Sequence, residues 1–487
     1  MATAVHKEDL DPVPEQPEHT RDDVFGEISE QGPNYRNVGF VGTIILMMKT
    51  QIGLGVLAIP SALDTLGMGF GVACLIIMAT ITTWSGYVIG SFKLKHRDVY
   101  SLDDAGSIMF GLPGRAVLAT AFCLYYIFNS GSAILSISIG LNAVSNHATC
   151  TAVFVAVAAI VGFALASIRT LGRITWLAWI GLPCIMTAII IVTIAVGIQD
   201  RPAAAPPPTT TDGVWKSDWK AAGKPTFAQG IAAVSNLLFA FSGTPGFFSI
   251  ISEMRNPKQY TAAVLICQSA VTATYAVIGC VIYFYCGSYV SSPALGSAGG
   301  VIKIVSYAFA LPGLVVTMTI VTHIPSKYIF VTLLRGSKHL NANTAKHWLT
   351  WLACTSGITL IAWVIASTIP VFDALVSLIG ALLGPAICIV PMGCMWLFDN
   401  YSLRERSIAT GRDAGIKSHG AGTIGKGERS GWMWVFGVAW SVLLVVLGMF
   451  LMVAGTYGSV VGIVNSYSVA GGGGGRAFSC KDNSNSV

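Results

Sequence analysis

Long apolar stretches broken by short polar or charged segments dominate the chain. Runs free of Asp, Glu, Lys and Arg extend over 116–168, 174–199, 259–302, 304–326, 348–372, 374–398 and 430–475. One membrane-crossing helix needs about 20 mostly apolar residues, so several of these runs hold two spans. Dividing the long runs at polar or Gly/Ser-rich points, 142–149 and 287–300, predicts eleven helices. They fall at 38–60, 69–92, 115–142, 150–168, 174–198, 228–252, 261–286, 302–331, 347–368, 372–398 and 431–463.

Composition agrees with this pattern, with 53% apolar and 11% charged residues, against about 25% charged in soluble domains. The expected protein is an all-α polytopic membrane protein without a soluble domain. Residues 1–37 read as a disordered cytoplasmic tail with no cleavable signal peptide, so the first span is expected to direct insertion. Lys and Arg number 21 in the N-terminal tail, alternate loops and adjoining span ends, against 6 on the other side. This bias predicts a cytoplasmic N-terminus and, with eleven spans, an outer C-terminus. The net charge of +6 is accounted for by these loops and gives no reason to invoke nucleic acid.

The clearest linker is the Pro-rich outer loop 199–227, which contains Arg201-Pro202-Ala203-Ala204-Ala205-Pro206-Pro207-Pro208. It separates a first set of five spans, 38–198, from a second, 228–398. A cytoplasmic loop at 399–430, an eleventh helix at 431–463 and a disordered tail at 464–487 follow. An odd number of spans in the first half makes the second half enter from the opposite side, as two inverted five-helix repeats would.

Each half opens with an interrupted span. In the first, Lys49 precedes Gly53, Gly55 and Pro60 within Lys49-Thr50-Gln51-Ile52-Gly53-Leu54-Gly55-Val56-Leu57-Ala58-Ile59-Pro60. A charge at the bilayer centre costs about 2.5–3.5 kcal/mol on insertion scales and persists where it faces a cavity or a partner. In the second, Ser242-Gly243-Thr244-Pro245-Gly246 sits in mid-span, where proline removes a backbone donor and the glycines weaken the same turn. Small residues also serve close helix packing, the plain alternative for either break alone. Matching breaks in the two halves favour a substrate site between them.

At these residues the sequence resembles the amino acid/auxin permease family, part of the amino acid, polyamine and organocation superfamily. The similar pieces are Ile52 to Pro60 with Leu66-Gly67, Ser252-Glu253-Met254-Arg255-Asn256-Pro257, and Ser377-Leu378-Ile379-Gly380-Ala381 leading to Pro391. The resemblance implies a LeuT-like fold of two inverted five-helix repeats plus one extra helix, and secondary transport of amino acids. The substrate carboxylate would meet free N–H groups around Gly53, Leu54 and Gly55, at a positive helix end. Its ammonium would meet carbonyls freed around Ser242, Gly243 and Thr244. Candidate pocket walls are Tyr125, Phe128 and Asn129 of the third span and Phe247 of the sixth. The proton-coupled members look like this chain in carrying Lys before the Ile-Gly-x-Gly motif, and an ammonium at Lys49 would repel Na⁺. Proton-coupled symport is therefore expected, with sodium less favoured and no cofactor. His323 in the eighth span is a second candidate for the coupled proton. Glu253 and Asp373 are candidate inner and outer gate residues, each with a structural alternative as a boundary carboxylate or a helix cap.

Eleven cysteines are scattered singly without C-x-x-C spacing, so they read as small buried hydrophobes and not as metal or redox sites. Cys150 and Cys286 both fall near the outer surface, where they could pair. Gly420 to Gly425 fits G-x-G-x-x-G by letter only, lacking the flanking strand and helix of a dinucleotide site. No helix-borne cluster of catalytic groups points to an enzyme. A receptor or sensor built on the same fold would bind an amino acid without net flux. Such proteins usually carry a structured tail or loop for a signalling partner, which the tail at 1–37 does not resemble. A neutral amino acid is favoured as substrate because no unpaired acidic residue is expected beside the pocket. The plasma membrane is favoured over the vacuolar membrane, and nothing fixes the oligomeric state.

Overall fold

The computed structural model describes residues 21–22, 26–27, 38–168, 171–206, 215–334, 337, 339, 344–409, 431–468 and 477–484. Within the tail at 1–37, strand β1 (Arg21–Asp22) pairs antiparallel with β2 (Gly26–Glu27). The remainder of that tail and the motif at 420–425 lie outside the described residues.

Among the described residues every other regular element is helical. The first predicted span is α1 (Phe40–Gln51), a 3₁₀ turn (Gly55–Ala58) and α2 (Ile59–Leu66), bent by 43° at the break. Then come α3 (Met68–Lys95), α4 (Leu102–Ser145), α5 (Thr151–Ala166) and α6 (Leu171–Ile198). The sixth span is α7 (Phe227–Ala240), a 3₁₀ turn (Thr244–Gly246) and α8 (Phe247–Glu253). After it run α9 (Tyr260–Cys286), α10 (Gly300–Leu334) and α11 (Ala345–Thr368). The tenth span is α12 (Phe372–Leu378), a π-helical turn (Ile379–Leu383), α13 (Gly384–Cys388) and α14 (Val390–Ala409). The last helix is α15 (Gly431–Ser468). Among the described residues nine helices are long and apolar enough to cross a membrane, ten with the bent pair; α5 is apolar but has only 16 residues.

Local sequence explains several boundaries. Ser101 and Asp104 form a capping box that starts α4, and Thr226 and Gln229 form one that starts α7. Gly111, at φ 69°, kinks α4 just before Pro113, so the predicted span at 115–142 is the segment beyond the kink. The linker at 199–227 is more than a spacer. Met68 and Gly69 donate to the carbonyls of Lys220 and Ala221, and Gly223 donates to that of Leu66, laying 220–223 over the corner between α2 and α3. Partial burial pushes the Asp218 carboxyl up, but the Ser288 hydroxyl and amide that it accepts more than reverse this and hold it below the usual range.

At the C-terminus one expectation is overturned and one open pairing is decided. The tail at 464–487 was expected to be disordered, yet α15 continues to Ser468 and residues 477–484 are packed on the helix ends. Cys150 pairs with Cys480, not with Cys286, which is a buried free thiol. The reason is that the short segment around Cys480 carries side chains able to bury themselves, Asn483 among them, which the polar tail composition concealed.

Helix α4 packs against α5, α10 and α11, and α10 also packs against α6. α3 lies on α9, and α15 covers α7 and the π-helical turn. This arrangement sets α6 and α9 against α1 and α15 against α7. Lys95 at the end of α3 pairs with Asp399 of α14 at 2.9 Å, marking one end of the bundle, hereafter the basic face.

Candidate functional site

At the first break, Ile52 makes the last bond of α1, donating to the Met48 carbonyl at 2.7 Å. The chain leaves the helical path at Ile52 (ψ 98°), Gly53 and Leu54 cross the break, and the 3₁₀ turn begins at Gly55. Among the described residues, no acceptor stands in hydrogen-bond geometry with the three amides of Gly53, Leu54 and Gly55. Pro60 is tolerated because it enters in the first turn of α2, where its missing N–H removes no helical bond. Three N–H groups are therefore left at the positive end of a helical segment, the arrangement that receives an anion.

The second break is built differently. Phe241 and Ser242 donate back to Leu238 and Phe239 at 3.1 and 3.0 Å, tightening the end of α7. The carbonyls released beyond them are taken by side chains from other helices. Tyr275 of α9 donates to the Ala240 carbonyl at 2.9 Å. Tyr125 of α4 donates to that of Ser242 at 2.6 Å, and the Cys388 thiol lies 3.6 Å from the same oxygen.

The breaks press on each other. A Cβ on Gly55 would stand 2.4 Å from the Cα of Ala240, and one on Gly243 would stand 2.8 Å from the Thr50 carbonyl oxygen. Only glycine allows this approach of two backbones.

A cavity of about 150 Å³ lies at their junction. Of the residues singled out in the sequence, Lys49, Gly53, Leu54, Gly55, Tyr125, Asn129, Ser242, Gly243 and Glu253 line it. Asn129 turns its amide back to the Tyr125 carbonyl at 3.0 Å. Lys49, with 5% of its surface exposed, donates to Thr317 Oγ1 at 2.6 Å and approaches the Gly313 carbonyl at 3.5 Å, linking α1 to α10. Glu253 reaches the cavity from the end of α8; its backbone carbonyl accepts from Val38, and Arg255 donates to the Val38 carbonyl.

Other expected residues lie elsewhere. Thr244 is fully buried and does not line the cavity. Phe247 is also buried, its ring set close to Gly86 of α3, so it is no pocket wall. Phe128 is likewise not among the lining residues. The His323 Nδ1 lies 3.2 Å from the Ala166 carbonyl, and the ring packs edge-on against Trp351, centroids 5.2 Å apart. It faces α5 and α11 instead of the cavity, because one turn of rotation on a helix buried on several sides decides which neighbour is met. Asp373 accepts from the hydroxyls of Ser61 and Ser292, the latter at 2.6 Å, and so joins α12 to α2 and the loop before α10.

Sequence reading missed the wall contributed by α10. Thr317, Ile320, Val321 and Ile324 line the cavity together, at the i, i+3, i+4, i+7 spacing of one helical stripe. That spacing was available in the sequence, with Thr317 as its polar member. Leu46, Phe239 and Ile250 complete an apolar wall.

Residues 36–397 match the family described as transmembrane amino acid transporter protein. The chain belongs to the transmembrane amino acid transporter family. A Gibberella moniliformis protein named transmembrane transporter is 33% identical over 465 residues, covering 96% of this chain and 92% of its own. The N amino acid transport system protein of Neurospora crassa is 33% identical over 359 residues, 73% of this chain and 75% of its own. Two solved structures share the fold at 14% identity. MhsT in complex with L-phenylalanine aligns with a TM-score of 0.51, covering 86% of this transporter and 98% of MhsT. A nucleobase-cation-symport-1 family transporter, closed around bromovinylhydantoin, aligns with a TM-score of 0.52, covering 88% and 92%. The membrane-embedded cavity thus belongs to an amino acid transporter with the helical fold of these two proteins.

Proposed function

We propose that the protein is a secondary active symporter of neutral amino acids, coupled to protons and working by alternating access. The observation that carries this reading is the set of three unpartnered amides at Gly53, Leu54 and Gly55 beside a cavity. An α-carboxylate would satisfy all three at a helix start where the dipole already favours negative charge. The α-ammonium would lie toward the second break, exchanging with the Tyr125 hydroxyl for the Ser242 carbonyl. The side chain would extend along Leu46, Ile250, Ile320, Val321 and Ile324, a surface suited to an uncharged group. One ammonium and one carboxylate, Lys49 and Glu253, line the same cavity, leaving no excess charge to select a charged side chain.

Lys49 supports proton over sodium coupling. A fixed cation in this position repels Na⁺, and its charge strengthens the bond to Thr317. Losing that proton would weaken the link between α1 and α10, tying protonation to the relative position of a broken helix and a continuous one. In this reading Glu253 closes the cavity toward the basic face and Asp373 closes it toward the other. His323 does not itself line the cavity and is the weaker candidate for the coupled proton. We place the basic face in the cytoplasm with the N-terminus, in the plasma membrane, and count the 16-residue α5 as one of eleven spans forming two inverted repeats and a final helix.

Uptake of labelled neutral amino acids by purified protein in liposomes, with pH and Na⁺ gradients imposed separately, tests the reading. An inward proton gradient should drive accumulation without Na⁺. Uptake that requires Na⁺ and ignores pH would refute proton coupling, and saturable binding without flux under either gradient would make the protein a sensor.

A further inference from the structure

The C-terminal segment 477–484 crosses the ends of four helices on the face opposite the basic loops. Cys480 is bonded to Cys150, just before α5. The Lys481 carbonyl accepts from Thr151 of α5 at 2.7 Å. Asn483, 4% exposed, accepts from Asn142 at 2.7 Å and donates to Ser138 at 3.4 Å, both on α4. Lys303 of α10 donates to the Ser484 carbonyl at 2.6 Å. Phe478 donates its amide to the Ser367 carbonyl of α11 at 3.0 Å, and its ring lies 5.6 Å from Trp363.

The four helices so joined, α4, α5, α10 and α11, pack against one another, and α4 and α10 line the cavity. The two interrupted spans that meet at the cavity, α1/α2 and α7/α8, receive none of these contacts. A surface tail would ordinarily be among the least protected parts of a chain. Here it carries a covalent bond, a buried amide and a bond to each of four helices, which is more than anchoring a terminus needs.

We propose that residues 477–484 form a disulfide-locked strap that holds α4, α5, α10 and α11 as one frame, against which the two broken helices move during transport. The strap is redox-sensitive because only Cys150 and Cys480 are paired; the nine other cysteines are free thiols. It requires an oxidising environment on its face of the membrane.

The test uses folded, purified full-length protein before and after treatment with a phosphine reductant. Peptide mapping should find Cys150 and Cys480 resistant to alkylation until reduction. After reduction, amides at 138–152 and 477–484 should exchange with deuterium about tenfold faster, while those at 40–55 stay unchanged, as expected for local opening of one unit. Proton-driven uptake should lose about two-thirds of its maximal rate with KM unaltered, since the substrate groups are untouched. The Cys480→Ser variant should match the reduced wild type. Free thiols at Cys150 and Cys480 before reduction would overturn the strap, as would exchange that reduction leaves unchanged. Faster exchange with an unchanged uptake rate would overturn its role in transport. The role in transport rests on the transporter reading and the exchange data do not, so absence of flux in the oxidised protein would count against transport and leave the strap standing.

Discussion

The two helix breaks face one cavity, yet one is left open and the other is filled. At Gly53 to Gly55 three amides wait without acceptors, whereas at Ala240 and Ser242 the released carbonyls already hold donors from Tyr275, Tyr125 and Cys388. An unpartnered buried backbone group costs about 1–3 kcal/mol, so the first break is stabilised by whatever anion enters it. The second is stabilised by the protein. Substrate binding should therefore complete the first break and compete at the second.

The largest effect should come from preventing the breaks from meeting. Gly55→Ala places a Cβ 2.4 Å from the Ala240 Cα, a backbone clash that no rotamer can relieve. Uptake should fall to background, and the thermal midpoint of the purified protein should drop as well. Wild-type uptake in this variant would show that the breaks do not need their close approach.

Tyr125→Phe should come next. It removes the 2.6 Å donor from the Ser242 carbonyl, and uptake should fall about tenfold, the kinetic equivalent of roughly 1.4 kcal/mol. Because the second break is held by protein groups, the variant should also melt earlier without substrate, and a calorimetric scan of the ligand-free protein checks this. A variant stable alone but defective only in binding would mean that Tyr125 serves the substrate and not the break.

Thr317→Val leaves the lining shape nearly intact and takes the 2.6 Å partner from Lys49. Proton-driven uptake should fall about fivefold, roughly 1 kcal/mol and less than a full charge-assisted bond because Lys49 keeps the Gly313 carbonyl, while binding of amino acid at fixed pH changes little. The pH profile of uptake separates these two quantities. The smallest effect is expected from His323→Gln, less than about twofold in rate with an unchanged pH profile, since His323 does not line the cavity and the amide can keep a bond to the Ala166 carbonyl. A flattened pH profile would move the coupled proton from Lys49 to His323.

Much of this comparison could be read from the chain. Glycine and proline punctuation located both breaks, and the cation at Lys49 within the first span marked the cavity. What stayed hidden depended on rotation and on distant partners. Tyr125 was visible as a polar group in an apolar span, but nothing in its spacing tells that its hydroxyl meets a carbonyl 117 residues away. His323 and Phe247 sit on spans buried on more than one side, so hydrophobic periodicity gives no preferred face. Cys480 lies 330 residues from Cys150 in a polar tail whose composition signals disorder, and only the closed fold brings them together.

The central claim is that the open amides at Gly53, Leu54 and Gly55 bind the substrate's carboxylate. Competition against uptake of a labelled neutral amino acid tests it most directly, comparing the unlabelled amino acid with the amine left when its carboxyl group is removed. The account predicts full inhibition by the amino acid and none by the amine at about a hundredfold higher concentration, since losing a charged partner of buried donors costs several kcal/mol. Equal inhibition by both would contradict it.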